Sequence, residues 1–132
     1  MPSIQVDIKQ TGATTSQAHI RRHSLMIDRP EAKGGADAGA MGGELLLASL
    51  GGCFSSNLLE AIRSREADIR NVMVAVAGTL DGSPARFTDI SMTVTAEHDD
   101  SALLAKLVTI SERSCIVANT LKDSVRLTVG VA

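Results

Sequence analysis

The chain has 132 residues and a mass of 13.8 kDa, room for one hydrophobic core, so a single domain over 1–132 is expected. With 44% hydrophobic and 21% charged residues it is neither a disordered tract nor a fibre. Thirteen basic against fifteen acidic side chains leave a net charge of −2, which offers no footprint for nucleic acid or an anionic membrane. Trp and Tyr are absent, which removes base-stacking and sugar-binding platforms and leaves an aliphatic core.

No unbroken apolar run reaches the roughly 18 residues of a membrane span, and the start lacks the basic-then-apolar layout of a secretory leader. Two cysteines make no disulfide scaffold, there is no C-x-x-C, and His19, His23 and His98 are scattered. The expectation is a soluble, cytoplasmic protein without a metal site.

In chain order, 4–8 alternates apolar and polar residues as a half-buried strand does, 11–15 reads as a turn, and 18–21 and 24–27 are short strand candidates. From Asp28 to Gly43 the composition turns to glycine, and a long Gly-rich loop within a compact domain points to function. Residues 44–66 form the strongest helix. Its leucines, with Cys53, Phe54 and Ile62, cover more than one side, so a central, buried helix is expected. Gly51-Gly52 inside it costs helix stability, so something should approach that backbone closely. Strands at 72–76 and 90–95 flank the turn Asp81-Gly82-Ser83-Pro84. Ser101 is expected to cap a second helix running toward Cys115. A short turn or helix with Asn119 and Thr120 follows, then an alternating strand over 125–131. The order of elements is that of an α+β domain.

Free cysteine is commonly a core residue, but both settings here invite chemistry. Cys53 follows two glycines that open access to its sulfur, and Arg113 near Cys115 could favour a thiolate. Ser55 and Ser56 lie in no G-x-S-x-G and are not a hydrolase elbow.

Gly34-Gly35-Ala36-Asp37-Ala38-Gly39, followed by Glu44-Leu45-Leu46-Leu47-Ala48-Ser49-Leu50-Gly51-Gly52-Cys53, resembles the signature of the OsmC/Ohr family of osmotically inducible and organic-hydroperoxide-resistance proteins. Ser114-Cys115-Ile116-Val117-Ala118-Asn119-Thr120-Leu121 resembles that family's second-cysteine motif, and 83–90 resembles a strand entry of its OsmC-like branch. The resemblance implies an intertwined homodimer in which antiparallel β-sheets pack around long central helices. It also implies reduction of organic hydroperoxides by thiols, without metal, haem or flavin. Cys53 would attack the peroxide, Cys115 would close a disulfide, and an external dithiol, plausibly of the lipoyl type, would reduce it.

The chain departs from the family pattern in three places. Gly43 stands where an assisting acid is expected, and Glu44 is one residue, about 100°, further round the helix. Glu44 either assists Cys53 or simply favours a helix N-terminus. The assisting arginine is Arg29 or Arg22, with Arg29 preferred for its place in the Gly-rich loop. Ile116 follows Cys115 where the family frequently has proline. Two functions therefore stand: a cysteine hydroperoxide reductase acting through Cys53 and Cys115, or an OsmC-fold homodimer binding a small apolar or thiol ligand without turnover. A structural dimer with inert cysteines is a third reading.

Overall fold

The structure, a computed structural model, describes residues 1–132. It resolves into two compact units, 1–46 and 47–132.

The first unit is a three-stranded antiparallel meander of β1 (Asp7–Gln10), β2 (Ser16–Ile20) and β3 (His23–Ile27). The expected strand at 4–8 is displaced. Pairing begins only at Asp7, opposite His19, and since β2 ends at Ile20 it offers nothing to Ile4 or Gln5. A two-residue loop joins β2 to β3 with Arg21 at φ 55°.

Beyond β3 the Gly-rich loop is built on one carboxylate. Asp28 accepts from Thr14 Oγ1 (2.8 Å), Thr15 Oγ1 (2.9 Å) and the backbone N–H groups of Arg29 (2.7 Å), Ala36 (3.2 Å) and Ala38 (3.2 Å). Burial pushes its pKa up, but these donors more than reverse that and hold it at about 2. The loop also runs so close to β3 that a Cβ on Gly39 would collide with the Met26 carbonyl oxygen.

Helix α1 (Gly42–Ser64) starts in the first unit and continues through the second. By length and composition it could cross a membrane, with a mean hydropathy of 1.4, a property that core helices share. Within the second unit, Leu50, Phe54 and Leu58 on it have no exposed surface. The rest of α1 is less covered than expected. Its buried residues form one stripe, while Ser49, Gly52, Ser56 and Leu59 are exposed in the single chain. An apolar sequence does not by itself supply enough neighbours to cover every side of a helix.

The second unit pairs two 13-residue strands, β4 (Ile69–Asp81) and β5 (Arg86–His98), antiparallel. Both run further than the sequence indicated, since cross-strand pairing carries them past the alternating segments. Ile90, Met92 and Val94 of β5 face the core, and Ser91, Thr93 and Thr95 are exposed. Next come α2 (Ser101–Arg113) and α3 (Ile116–Leu121), then β6 (Arg126–Val131). Asp100, not Ser101, caps α2, accepting from the Leu103 N–H at 3.0 Å. The two helices return the chain to the same end of the sheet, so β6 lies parallel to β5. The β4-β5-β6 sheet is therefore mixed where antiparallel sheets were expected, and the fold is α+β.

The close approach expected at Gly51-Gly52 is half met. A Cβ on Gly51 would lie 2.8 Å from Val76 Cγ2 of β4, whereas one on Gly52 would meet nothing within 4 Å. Gly51→Ala is expected to lose about 1–2 kcal/mol through overpacking against a stiff valine. Gly52→Ala is expected to gain about 0.5–1 kcal/mol of helix propensity. Urea midpoints of the two variants check this. Destabilisation by Gly52→Ala would show that the space over Gly52 is occupied in solution.

Candidate functional site

α2 ends because Ser114 leaves the helical region, at φ −97° and ψ 2°, and Cys115 is extended, at φ −79° and ψ 115°. Cys115 thereby becomes the N-cap of α3. The first amides of any helix lack partners within it. Here they point to sulfur: the Ala118 N–H donates to Cys115 Sγ at 3.4 Å, while those of Val117 and Ile116 lie against Cys53 of α1. Their dipoles favour negative charge on the Cys53 sulfur. Both cysteines are free thiols, placed side by side.

The two environments push the thiols apart. Partial burial raises Cys53, but the Val117 N–H, the Cys115 thiol and the Ile116 N–H outweigh it and hold the thiol below its ordinary value. Cys115 has no exposed surface; burial raises it, the Ala118 and Val117 N–H groups oppose, and the neighbouring Cys53 adds to the rise, so it lies above its ordinary value. The thiolate expected at Cys115 from Arg113 is thus overturned. A buried sulfur is governed by desolvation and local amides, whereas Arg113 is exposed. The lowering expected at Cys53 comes from these amides and Cys115, with no guanidinium among its causes. The pair comprises one half-buried sulfur poised to ionise and one buried sulfur that keeps its proton.

The sequence pattern of the family described as "OsmC-like protein" matches residues 34–130, most of the chain. The chain belongs to this OsmC-like family. No curated protein matches it. Among solved structures it resembles a hypothetical protein of Aquifex aeolicus VF5, with a TM-score of 0.84 at 18% identity, covering 100% of this chain and 98% of that one. An OsmC-like protein of Mycoplasma pneumoniae gives 0.85 at 16%, covering 99% and 96%. An organic hydroperoxide resistance protein of Legionella pneumophila gives 0.75 at 15%, covering 100% and 98%. At these identities the likeness is one of fold.

Other residues of this OsmC-like chain singled out from sequence have local roles. Glu44 is exposed, and its Oε1 accepts from the Met41 N–H at 2.8 Å, the backward half of a capping box at the start of α1. Arg29 and Arg22 are exposed and form no ion pair. A surface hollow of about 380 Å³ lies in the first unit; Thr14, Asp28, Arg29 and Lys33 are among its lining, and neither cysteine is. His19, His23 and His98 are exposed, and no three His, Cys, Asp or Glu side chains cluster as metal ligands would. Asn119 donates from Nδ2 to the Arg113 carbonyl at 3.0 Å, and Thr120 from Oγ1 to that of Ile116 at 2.8 Å, both helix-end contacts. Sequence reasoning missed Asn57. It lies one turn beyond Cys53 and donates to the Ser111 carbonyl and Ser114 Oγ; the available signal was a polar side chain at i+4 from a cysteine on an apolar helix.

Ile116 is the first residue of α3, a position that tolerates proline because its N–H lacks a helical partner. Ile116→Pro deletes one of the amides facing Cys53 and leaves the fold intact. Thiolate absorbance at 240 nm, titrated in a Cys115→Ser background, is expected to show the Cys53 midpoint moving up on this change. An unmoved midpoint would show that the α3 amides do not set it.

Proposed function

We propose that the chain reduces organic hydroperoxides through a Cys53/Cys115 redox cycle. The observation that carries this reading is the pair itself: adjacent free thiols at the start of α3, with Cys53 pushed toward thiolate and Cys115 kept protonated. Cys53 thiolate attacks the distal peroxide oxygen; an S–O bond forms, the O–O bond breaks, and the alkoxide leaves as alcohol with a proton from solvent. Cys115 then condenses with the sulfenic acid, forming the S–S bond and releasing water. An external dithiol, with a lipoyl-type compound as the candidate, reduces the disulfide and is itself oxidised. The name of the Legionella neighbour is consistent with this chemistry.

In this reading 1–132 is one OsmC-like domain that needs no metal, haem or flavin. It works in a reducing, cytoplasmic compartment that returns the pair to thiols. Glu44 and Arg29, with Arg22 as the substitute, enter as assistants to Cys53 carried over from the family. The active form is a homodimer, which would cover the apolar side chains Ile8, Met26, Leu59 and Met73 that the single chain exposes. Binding of a small apolar or thiol ligand without turnover is the second reading; the observation favouring it is that the Glu44 carboxylate is engaged in capping.

One equivalent of cumene hydroperoxide added to reduced protein is expected to remove two thiols per chain and leave a Cys53–Cys115 disulfide. Cys53→Ser should abolish this single turnover. Cys115→Ser should keep it and leave a dimedone-trappable sulfenic acid on Cys53. The reverse pattern would exchange the two roles, and an inert wild type would hand the site to the ligand-binding reading. A monomer at micromolar concentration by sedimentation would remove the dimer.

A further inference from the structure

Besides Cys53, a second side chain of α1 reaches the corner that carries Cys115. The last carbonyls of α2 run out of i+4 amides, and donors from the C-terminal corner and from α1 satisfy them. Ile110 accepts from the Ser114 N–H and Glu112 from the Cys115 N–H. Arg113 accepts from Asn119 Nδ2 at 3.0 Å. Ser111 accepts from Asn57 Nδ2 at 3.3 Å, and the same amide reaches Ser114 Oγ at 3.4 Å. Asn57 is thus the donor that comes from α1. It follows Cys53 by four residues and so shares its helix face, and its second acceptor belongs to the residue next to Cys115. Ser114 Oγ in turn donates to the Ile110 carbonyl at 3.1 Å, so the hydroxyl is held from both sides.

We infer that Asn57 is a positioning residue that fixes the Ser114–Cys115 corner against α1 and thereby sets how readily the two sulfurs join. This rests on the redox pairing of Cys53 and Cys115 proposed above, though not on the identity of the oxidant. Asn57 touches neither sulfur. It acts through the corner, raising the effective concentration of Cys115 at Cys53 by removing motions that would carry them apart.

The test uses glutathione and no peroxide. Cys53 thiolate attacks oxidised glutathione, giving a mixed disulfide and one glutathione; Cys115 displaces the second glutathione and closes the intramolecular bond. The equilibrium constant, from mass-spectrometric ratios of dithiol and disulfide in glutathione buffers, is that effective concentration. Asn57→Ala is expected to lower it about tenfold, the factor corresponding to the loss of two weak hydrogen bonds. Alkylation of Cys53 in a Cys115→Ser background serves as the control and should keep its rate.

Ser114→Ala, which removes one of the two acceptors, should shift the constant the same way by less. It decides the matter if Asn57→Ala does not fold. An unchanged constant in the folded variant overturns the positioning role. A wild type that forms no Cys53–Cys115 disulfide removes the pairing as well. A chain inert to hydroperoxide but shifted by Asn57→Ala keeps this inference and loses the peroxidase reading.

Discussion

Three amides at the start of one short helix serve two sulfurs, and the second unit is arranged to make that possible. The N–H groups of Ala118 and Val117 act on Cys115 and those of Val117 and Ile116 on Cys53, so α3 serves both thiols from one end. A helix of six residues carries little dipole of its own, and the effect on charge is confined to groups at its first turn. Cys53 must therefore arrive there from elsewhere in the chain. α1 supplies it, its Leu50, Phe54 and Leu58 fixed in the core alongside Leu104 and Leu107 of α2. The same packing that buries the aliphatic stripe sets a reactive sulfur against a break between two helices.

That break also separates the roles of the sulfurs. Cys115 is an N-cap within a buried corner, where ionisation would cost desolvation and repel a neighbouring thiolate. Cys53 is half-buried, beside a glycine over which the single chain places no side chain. Access and acidity therefore fall on the same sulfur, while the partner stays neutral and shielded. Ile116 contributes through its backbone; a proline in its place would cap the helix equally well but bring no N–H to the site.

Much of this was legible in the residues. The helix over 44–66, the hairpin strands and the two cysteine motifs stand out because apolar periodicity and glycine spacing are local signals. Missing were features made by tertiary meeting. Asp28 stands in the sequence only as the start of a Gly-rich stretch, yet its carboxylate gathers donors from Thr14 to Ala38 and organises the loop. The parallel pairing of β6 depends on where two helices deliver the chain, which alternation within 125–131 cannot encode. Arg113 looked like a partner for Cys115 because it is near in sequence. Burial and backbone dipoles dominate that sulfur instead, and nothing in a one-dimensional reading ranks an exposed guanidinium against an amide from the next helix. Asn57 was passed over for the same reason, since its acceptors lie more than fifty residues away.

The most direct measurement is the pH dependence of alkylation at each cysteine of the reduced wild-type chain, resolved by peptide mass spectrometry. Cys53 is expected to react with a midpoint below that of an ordinary thiol. Cys115 should follow at higher pH and more slowly. Equal midpoints, or Cys115 ionising first, would contradict the account in which the start of α3 favours charge on Cys53 while burial keeps Cys115 neutral.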